Sequence, residues 1–388
     1  MGLYYRYRSG SEMSIKELIY DELYFASRAE CNDPYEGKVF AKLEKDEELW
    51  DNLVRIALKF YASNTVEYLI KRVIDFYVSK APLYLDELLK IQDAEFIQLG
   101  NDEMEKMVLR NMHISLKEYI SLYLPVEQYF ACFSKNYDNY LMWSHYANNH
   151  SGFCLVFRTI DGKIKQSPDW KRKIIPFEID NESQPFFSLA IPDDFTIKDV
   201  EYIDKPNYLD GFMCFPGPVV HDKYTPEQIE QFQLEYSNTY MQKHTVWAYE
   251  DEARAILSNC YPWITGKGSS ITPHQRLFHY NSTQLIGIVL GIKMPESQKR
   301  RIKEIISDKV DRWYTNMTEE KIISKFVLFE EKLSETNREV IIEPIEIYGS
   351  GKPIDKSHKD FSRFYEEWKE GHALHFKGKG CSRIQIKD

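Results

Sequence analysis

The sequence predicts an α+β fold, a central mixed or antiparallel sheet with a helical insertion over about residues 44–123. Three observations predict it. Short apolar runs of strand length, such as Tyr129–Ser134 and Phe153–Arg158, recur along the chain. Between the first strands and these runs lies a stretch with helical periodicity, in which Leu53, Ile56, Ala57 and Phe60 repeat at i, i+3, i+4 and i+7. Strand patterns then resume at once, as expected of an insertion rather than a free domain. A length of 388 residues admits one domain or two. Residues 1–348 are expected to form a single domain, and the polar residues 349–388 a C-terminal extension that is partly ordered.

The elements follow in order. Tyr4–Tyr7 reads as an entry strand, Ser14–Asp21 as a helical turn and Glu22–Ser27 as a second strand. Asp33-Pro34-Tyr35-Glu36 carries helix-start signals, with Asp33 as N-cap, Pro34 as first helical residue and Glu36 as capping-box partner. Pro82, Gly100 and Pro125 divide the insertion into two to four helices. After Tyr129–Ser134, Asp138 opens a short helix that closes over Asn148–Gly152, and Phe153–Arg158 returns as a strand. Ile174–Ile179 and Val200–Ile203 are further short strands. Residues 204–224, with Pro206, Pro216 and Pro218, read as a long loop. Pro226–Lys243 reads as a helix, Val246–Leu257 and Leu285–Gly291 as strands, and Pro295–Asp308 as a helix. Phe326–Glu330 and Val340–Ile347 are late strands.

Composition narrows the function classes. Hydrophobic residues make up 43% of the chain, enough for a sizeable core, and the net charge is −10 with no basic arm. An extended nucleic-acid-binding face is therefore not expected. No signal peptide or membrane span is expected, because the start lacks an apolar run and no stretch of about 18 apolar residues occurs. The six cysteines are dispersed without a CxxC pair, which fits reduced thiols in a cytoplasmic protein and gives no structural zinc site. His145 and His150 are spaced i, i+5, which does not align them on a helix, so no metal is expected.

Three motifs carry candidate chemistry. The first joins Arg6 and Arg8 on the entry strand to Ser27 and to Asn32–Glu36; a helix start there suits an anion, or simply caps a helix. The second is Trp143-Ser144-His145-Tyr146, where a Trp, a His and a Tyr together can stack a flat ring and donate hydrogen bonds, or simply pack. The third is Trp247–Ile256. Read as a strand, its period of two puts Glu250, Glu252 and Arg254 on one face. A carboxylate paired with arginine stays ionised and suits a ribose hydroxyl or an oxocarbenium-like transition state. The competing reading is a solvated edge strand with a salt bridge.

With Tyr5-Arg6-Tyr7, Ser27, Asn32–Glu36, Cys132-Phe133-Ser134, Leu141–Ala147, His150-Ser151-Gly152 and Trp247–Arg254 in order, the chain resembles an uncharacterised microbial family, domain of unknown function 2971. The resemblance covers about residues 4–290 and implies no activity. More weakly, the order of Arg, Ser and Glu-x-Glu is similar to the Arg-Ser-Glu class of ADP-ribosyltransferases. That resemblance implies NAD as substrate and a macromolecular acceptor, in a toxin or phage-defence setting. It assigns Arg6 or Arg8 to the NAD phosphates or ribose and Ser27 to the nicotinamide-ribose pocket. Trp143 or Tyr146, beside His145, would stack on nicotinamide. Glu252 would be the catalytic carboxylate and Glu250 would position the acceptor, with Arg254 counted among the cofactor-binding residues. The sequence departs from that class in having Phe25-Ala26-Ser27 without a Ser-Thr-Ser triplet. Two other readings stand beside it: a nucleotide or glycosidic-bond hydrolase in which Glu36 and Glu252 converge, and a non-catalytic module that binds a nucleotide or a protein.

Overall fold

The structure, a computed structural model, describes residues 2–61, 65–177, 187–220, 223–258, 271–315, 320–378 and 380–386. Ten strands build the main sheet: β1 (Leu3–Arg8), β2 (Ala26–Ser27), β3 (Gln128–Ser134), β4 (Phe153–Arg158), β5 (Lys198–Asp199), β6 (Glu252–Ser258), β7 (Leu285–Leu290), β8 (Phe326–Leu333), β9 (Val340–Gly349) and β10 (Gly351–Asp355). Their spatial order is β5-β6-β3-β1-β4-β7-β8-β9-β10, with β2 pairing on β3. All neighbours run antiparallel except β7 and β8, which are parallel. The predicted α+β class with a mixed sheet is therefore observed. β4 and β7 are buried along their whole length, which is why they read as unbroken apolar runs.

Three apolar cores form. The first lies on one face of the sheet under α1 (Glu12–Tyr20) and the long helix Glu296–Trp313, and includes Phe25, Phe133, Phe157, Ile288 and Ile306. The second belongs to the insertion and gathers Trp50, Leu53, Tyr77, Phe96, Leu109 and Leu116. The third lies on the opposite sheet face and joins Tyr5, Tyr7, Trp143 and Val327 to Trp368.

Several expectations are corrected. The insertion holds five α-helical segments, Glu47–Ala57, Glu67–Lys80, Leu85–Leu88, Asp93–Ile97 and Glu103–Ser121, rather than two to four. The first of these ends at Ala57, so Phe60 falls beyond the amphipathic face and is 89% exposed. Residues 204–224 are not simply a loop: Phe212, Phe215, Val219 and Val220 are buried in the insertion core. The helix from Pro226 stops at Thr239, and Gln242–His244 is a strand paired in parallel with Glu201–Ile203. The C-terminal segment, expected to be partly ordered at best, carries regular structure among the described residues. β10 extends the main sheet, and Trp368 is buried, with its indole N–H donating to the Ile286 carbonyl at 3.0 Å. Of the strand expected over 174–179, Ile174–Phe177 is observed and the remainder lies outside the described residues.

Candidate functional site

The site forms where the C-terminal end of β3, at Ser134, lies between Tyr5 of β1 and Glu252 at the start of β6, next to the Gln242–His244 strand. On β6, Ala253, Ala255 and Leu257 fill the first core, which leaves Glu252 and Arg254 together on the other face. Glu250 arrives differently. Residues Thr245–Glu250 form a 3-10 turn and Asp251 takes a left-handed conformation, φ 42°, so the predicted strand from Val246 begins only at Glu252. The turn, not strand periodicity, brings Glu250 beside Glu252.

Lys243 joins them. Its ammonium lies 2.6 Å from Glu250 Oε2, 3.1 Å from Glu252 Oε2 and 3.5 Å from Glu36 Oε2. Arg254 binds from the other side, with Nη1 donating to Glu36 Oε1 at 2.5 Å and Nε donating to Glu252 Oε1 at 3.1 Å. Its Nη2 sits 2.9 Å from Glu252 Oε1 but without hydrogen-bond alignment. All five side chains are at least nine-tenths buried. Three carboxylates thus face two cations, a surplus of one negative charge if all ionise.

The surroundings split the carboxylates. Burial alone raises Glu252, but Arg254 and Lys243 override it and hold its carboxyl down at about 2. Burial dominates at Glu36 and pushes it up, with repulsion from Glu252 adding to the effect. Lys243 is held above its usual range, because Glu252, Glu36 and Glu250 outweigh its burial. The helix-cap role expected of Glu36 is overturned. Residues 31–38 form turns rather than a helix, and the Glu36 carboxylate takes charge-assisted bonds to Arg254 and Lys243 instead.

A cavity of about 510 Å³ opens beside this cluster, lined by Arg6, Arg8, Glu36, Tyr146, Lys243, Glu250 and Glu252 among others. Arg8 pairs with Glu17 at 2.5 Å. Arg6 is 8% exposed, donates from Nη2 to the Tyr24 carbonyl at 3.2 Å, and has no hydrogen-bond partner at Nε. It has no carboxylate partner among the described residues. Burial and then Arg8 lower its guanidinium to about 10, which still leaves it cationic at neutral pH. Tyr146 Oη donates to Glu250 Oε1, which also accepts from Asn32 at 3.2 Å.

Of the residues singled out from sequence, Arg6, Arg8, Tyr146, Glu250 and Glu252 line one cavity. Four others do not. Ser27 turns to Glu30, which accepts from both its N–H and its hydroxyl at 2.7 Å. Trp143 is fully buried, packs edge-on against Tyr7 and donates to the Tyr137 carbonyl at 2.9 Å. His145 is exposed, beside Tyr249. Arg254 is committed to Glu36 and Glu252. Lys243 was missed, since nothing in Gln242-Lys243-His244 distinguishes it from a helix end. Among the described residues no group of three or more His, Cys, Asp or Glu is disposed to hold a metal ion, and no helix is long and apolar enough to cross a membrane.

These residues fall largely within one recognised family. Residues 142–255 match the family described as protein of unknown function (DUF2971). The match runs from the Tyr140–Tyr146 helix into β6 and takes in Tyr146, Lys243, Glu250, Glu252 and Arg254; it is shorter than the span over which the motifs were read. No curated protein and no solved structure matches the chain.

Proposed function

We propose that the cavity binds NAD and that the protein is an ADP-ribosyltransferase-like enzyme of the cytoplasm. One observation carries the reading: an arginine without a carboxylate partner, Arg6, and an ionised carboxylate, Glu252, line the same cavity from strands on either side of β3. Arg6 suits a phosphate of the dinucleotide, because a guanidinium offers paired donors to a phosphate's oxygens. Glu252 suits the 2′-hydroxyl of the nicotinamide ribose. There it stabilises the cation that develops as the C1′–N bond breaks and the bonding pair passes to the nicotinamide ring. The acceptor then bonds to C1′ and loses its proton. Glu250, bonded to Tyr146 and Lys243, is placed to orient that acceptor. A toxin or phage-defence setting would supply a macromolecule as acceptor.

A second reading, hydrolysis of a nucleotide or glycosidic bond, is favoured by the convergence of Glu36 and Glu252 on Arg254 with opposite displacements of their proton affinity. Release of nicotinamide from NAD by the full chain tests both. Transferase action labels a macromolecule, hydrolysis yields free ADP-ribose, and Glu252→Gln lowers release by about a hundredfold or more. No release from NAD, with or without cell extract as acceptor, would sink the first reading.

A further inference from the structure

The turn that follows the Tyr140–Tyr146 helix is built against the backbone's preference. Asn148, Asn149 and His150 are three successive residues with φ of 48°, 52° and 68°. Asparagine tolerates this left-handed region; a run of three non-glycine residues there costs roughly 1 kcal/mol or more at each. The turn is pinned on both sides. The His150 carbonyl accepts from Lys293 N–H at 2.9 Å, and the Gly152 carbonyl from Gly291 N–H at 2.9 Å. A glycine at 150 would meet these backbone demands at lower cost. The imidazole is what glycine would lack.

That imidazole bridges two side chains from distant parts of the chain. His150 Nδ1 lies 2.5 Å from Glu331 Oε1, and Nε2 lies 3.3 Å from Ser144 Oγ. Glu331 is fully buried on β8, and its other oxygen accepts from Ile292 N–H at 3.0 Å, which fixes the carboxylate. Burial raises the proton affinity of Glu331, opposed by Ile292 N–H and by His150; in its carboxylate form it only accepts, so it takes Nδ1–H and leaves the Nε2 lone pair for the Ser144 hydroxyl. Ser144 is half-buried. It stands on the side of the helix that carries the exposed Tyr140 and Leu141, at i+4 and i+3 from them, whereas Met142 and Tyr146 line the NAD-sized cavity.

We propose that Ser144, His150 and Glu331 form a second catalytic site, with Ser144 as nucleophile, His150 as base and Glu331 as the positioning residue. Its substrates are carboxylic esters with an apolar acyl group that rests on Tyr140 and Leu141. Ser144 Oγ bonds to the acyl carbon while its proton passes to His150 Nε2. The ester C–O bond breaks, and His150 returns the proton to the departing alkoxide. Water, deprotonated by the same nitrogen, then cleaves the acyl-serine. The 3.3 Å separation is of the length expected before substrate draws such a pair together.

The full chain is incubated with an alkyl fluorophosphonate, in which Oγ–P bond formation expels fluoride, and the adduct is located by peptide mass. The expected result is a single adduct on Ser144, absent in Ser144→Ala and in His150→Asn; asparagine keeps the left-handed turn while removing the base. Glu331→Gln retains the acceptor for Ile292 N–H and is expected to slow labelling at least tenfold with the melting temperature little changed. No adduct, an adduct elsewhere, or equal labelling of Ser144 in folded His150→Asn overturns the proposal. A Glu331→Gln protein that labels at the wild-type rate overturns the role of Glu331. Among the described residues the Ser144 hydroxyl bonds only to His150, at 3.3 Å, so Ser144→Ala is expected to fold.

Discussion

Lys243 governs the charge balance at the site, for its ammonium bridges Glu250 and Glu252 at 2.6 and 3.1 Å. Removing one partner from a buried ionic cluster leaves its counter-charges unpaired. Lys243→Met is therefore expected to lower stability by about 3 kcal/mol or more, measurable by urea unfolding. Glu252 gives a pH signature. Its folded value, about 2, lies below its ordinary 4.5, so its contribution is present above that range and is lost as pH falls through about 4.5 to 2. Glu36, raised by burial, has the opposite sign and costs stability once it is charged. The unfolding midpoint is expected to fall more steeply below pH 4.5 in the wild type than in Glu252→Gln; parallel curves would deny that Glu252 is held ionised. The sequence made Glu252 and Arg254 legible because they sit two apart on one strand. Lys243 was not legible, because only tertiary pairing with Glu201–Ile203 converts its segment from helix end to strand. Glu36 was visible both as a cap and, in the hydrolase reading, as a partner of Glu252, but local rules cannot see an arginine 218 residues away.

At the scale of elements, two turns fix the geometry. The 3-10 turn Thr245–Glu250 explains why periodicity put Glu250 on the wrong kind of element yet beside Glu252: a strand and a tight turn that ends in a left-handed Asp251 deliver neighbouring acids to the same place. The turn after the Tyr140–Tyr146 helix depends on close backbone approach. A Cβ at Gly152 would lie 2.0 Å from the Arg8 carbonyl oxygen, and one at Gly291 would lie 2.3 Å from that of His150. No side-chain rotation relieves a clash with backbone. Gly152→Ala is expected to destabilise by more than about 3 kcal/mol, or to prevent soluble expression; a melting temperature within a few degrees of wild type would refute the packing described. The glycine itself was legible as a helix stop, but its contact with Arg8 required knowing that β1 and β4 are neighbours.

At the scale of the molecule, the strand runs and the amphipathic insertion were readable because apolar spacing records burial directly. Where polar composition masked burial, the reading failed. Residues after Gly349 are polar and mixed in charge, yet Trp368 covers the third core, and Arg158 donates to its carbonyl at 2.5 Å. Removing residues 350–388 would strip β10 from the sheet and uncover Val327 and Phe329, so the truncated chain is expected to aggregate or to melt well below the full chain. A soluble, equally stable truncation would contradict this packing. The central claim concerns the cavity on Arg6, and calorimetric titration of NAD into the full chain tests it most directly. The account predicts saturable binding at one site, weakened at least tenfold in Arg6→Gln at an unchanged melting temperature. Absence of binding, or equal affinity in a folded Arg6→Gln, would contradict it.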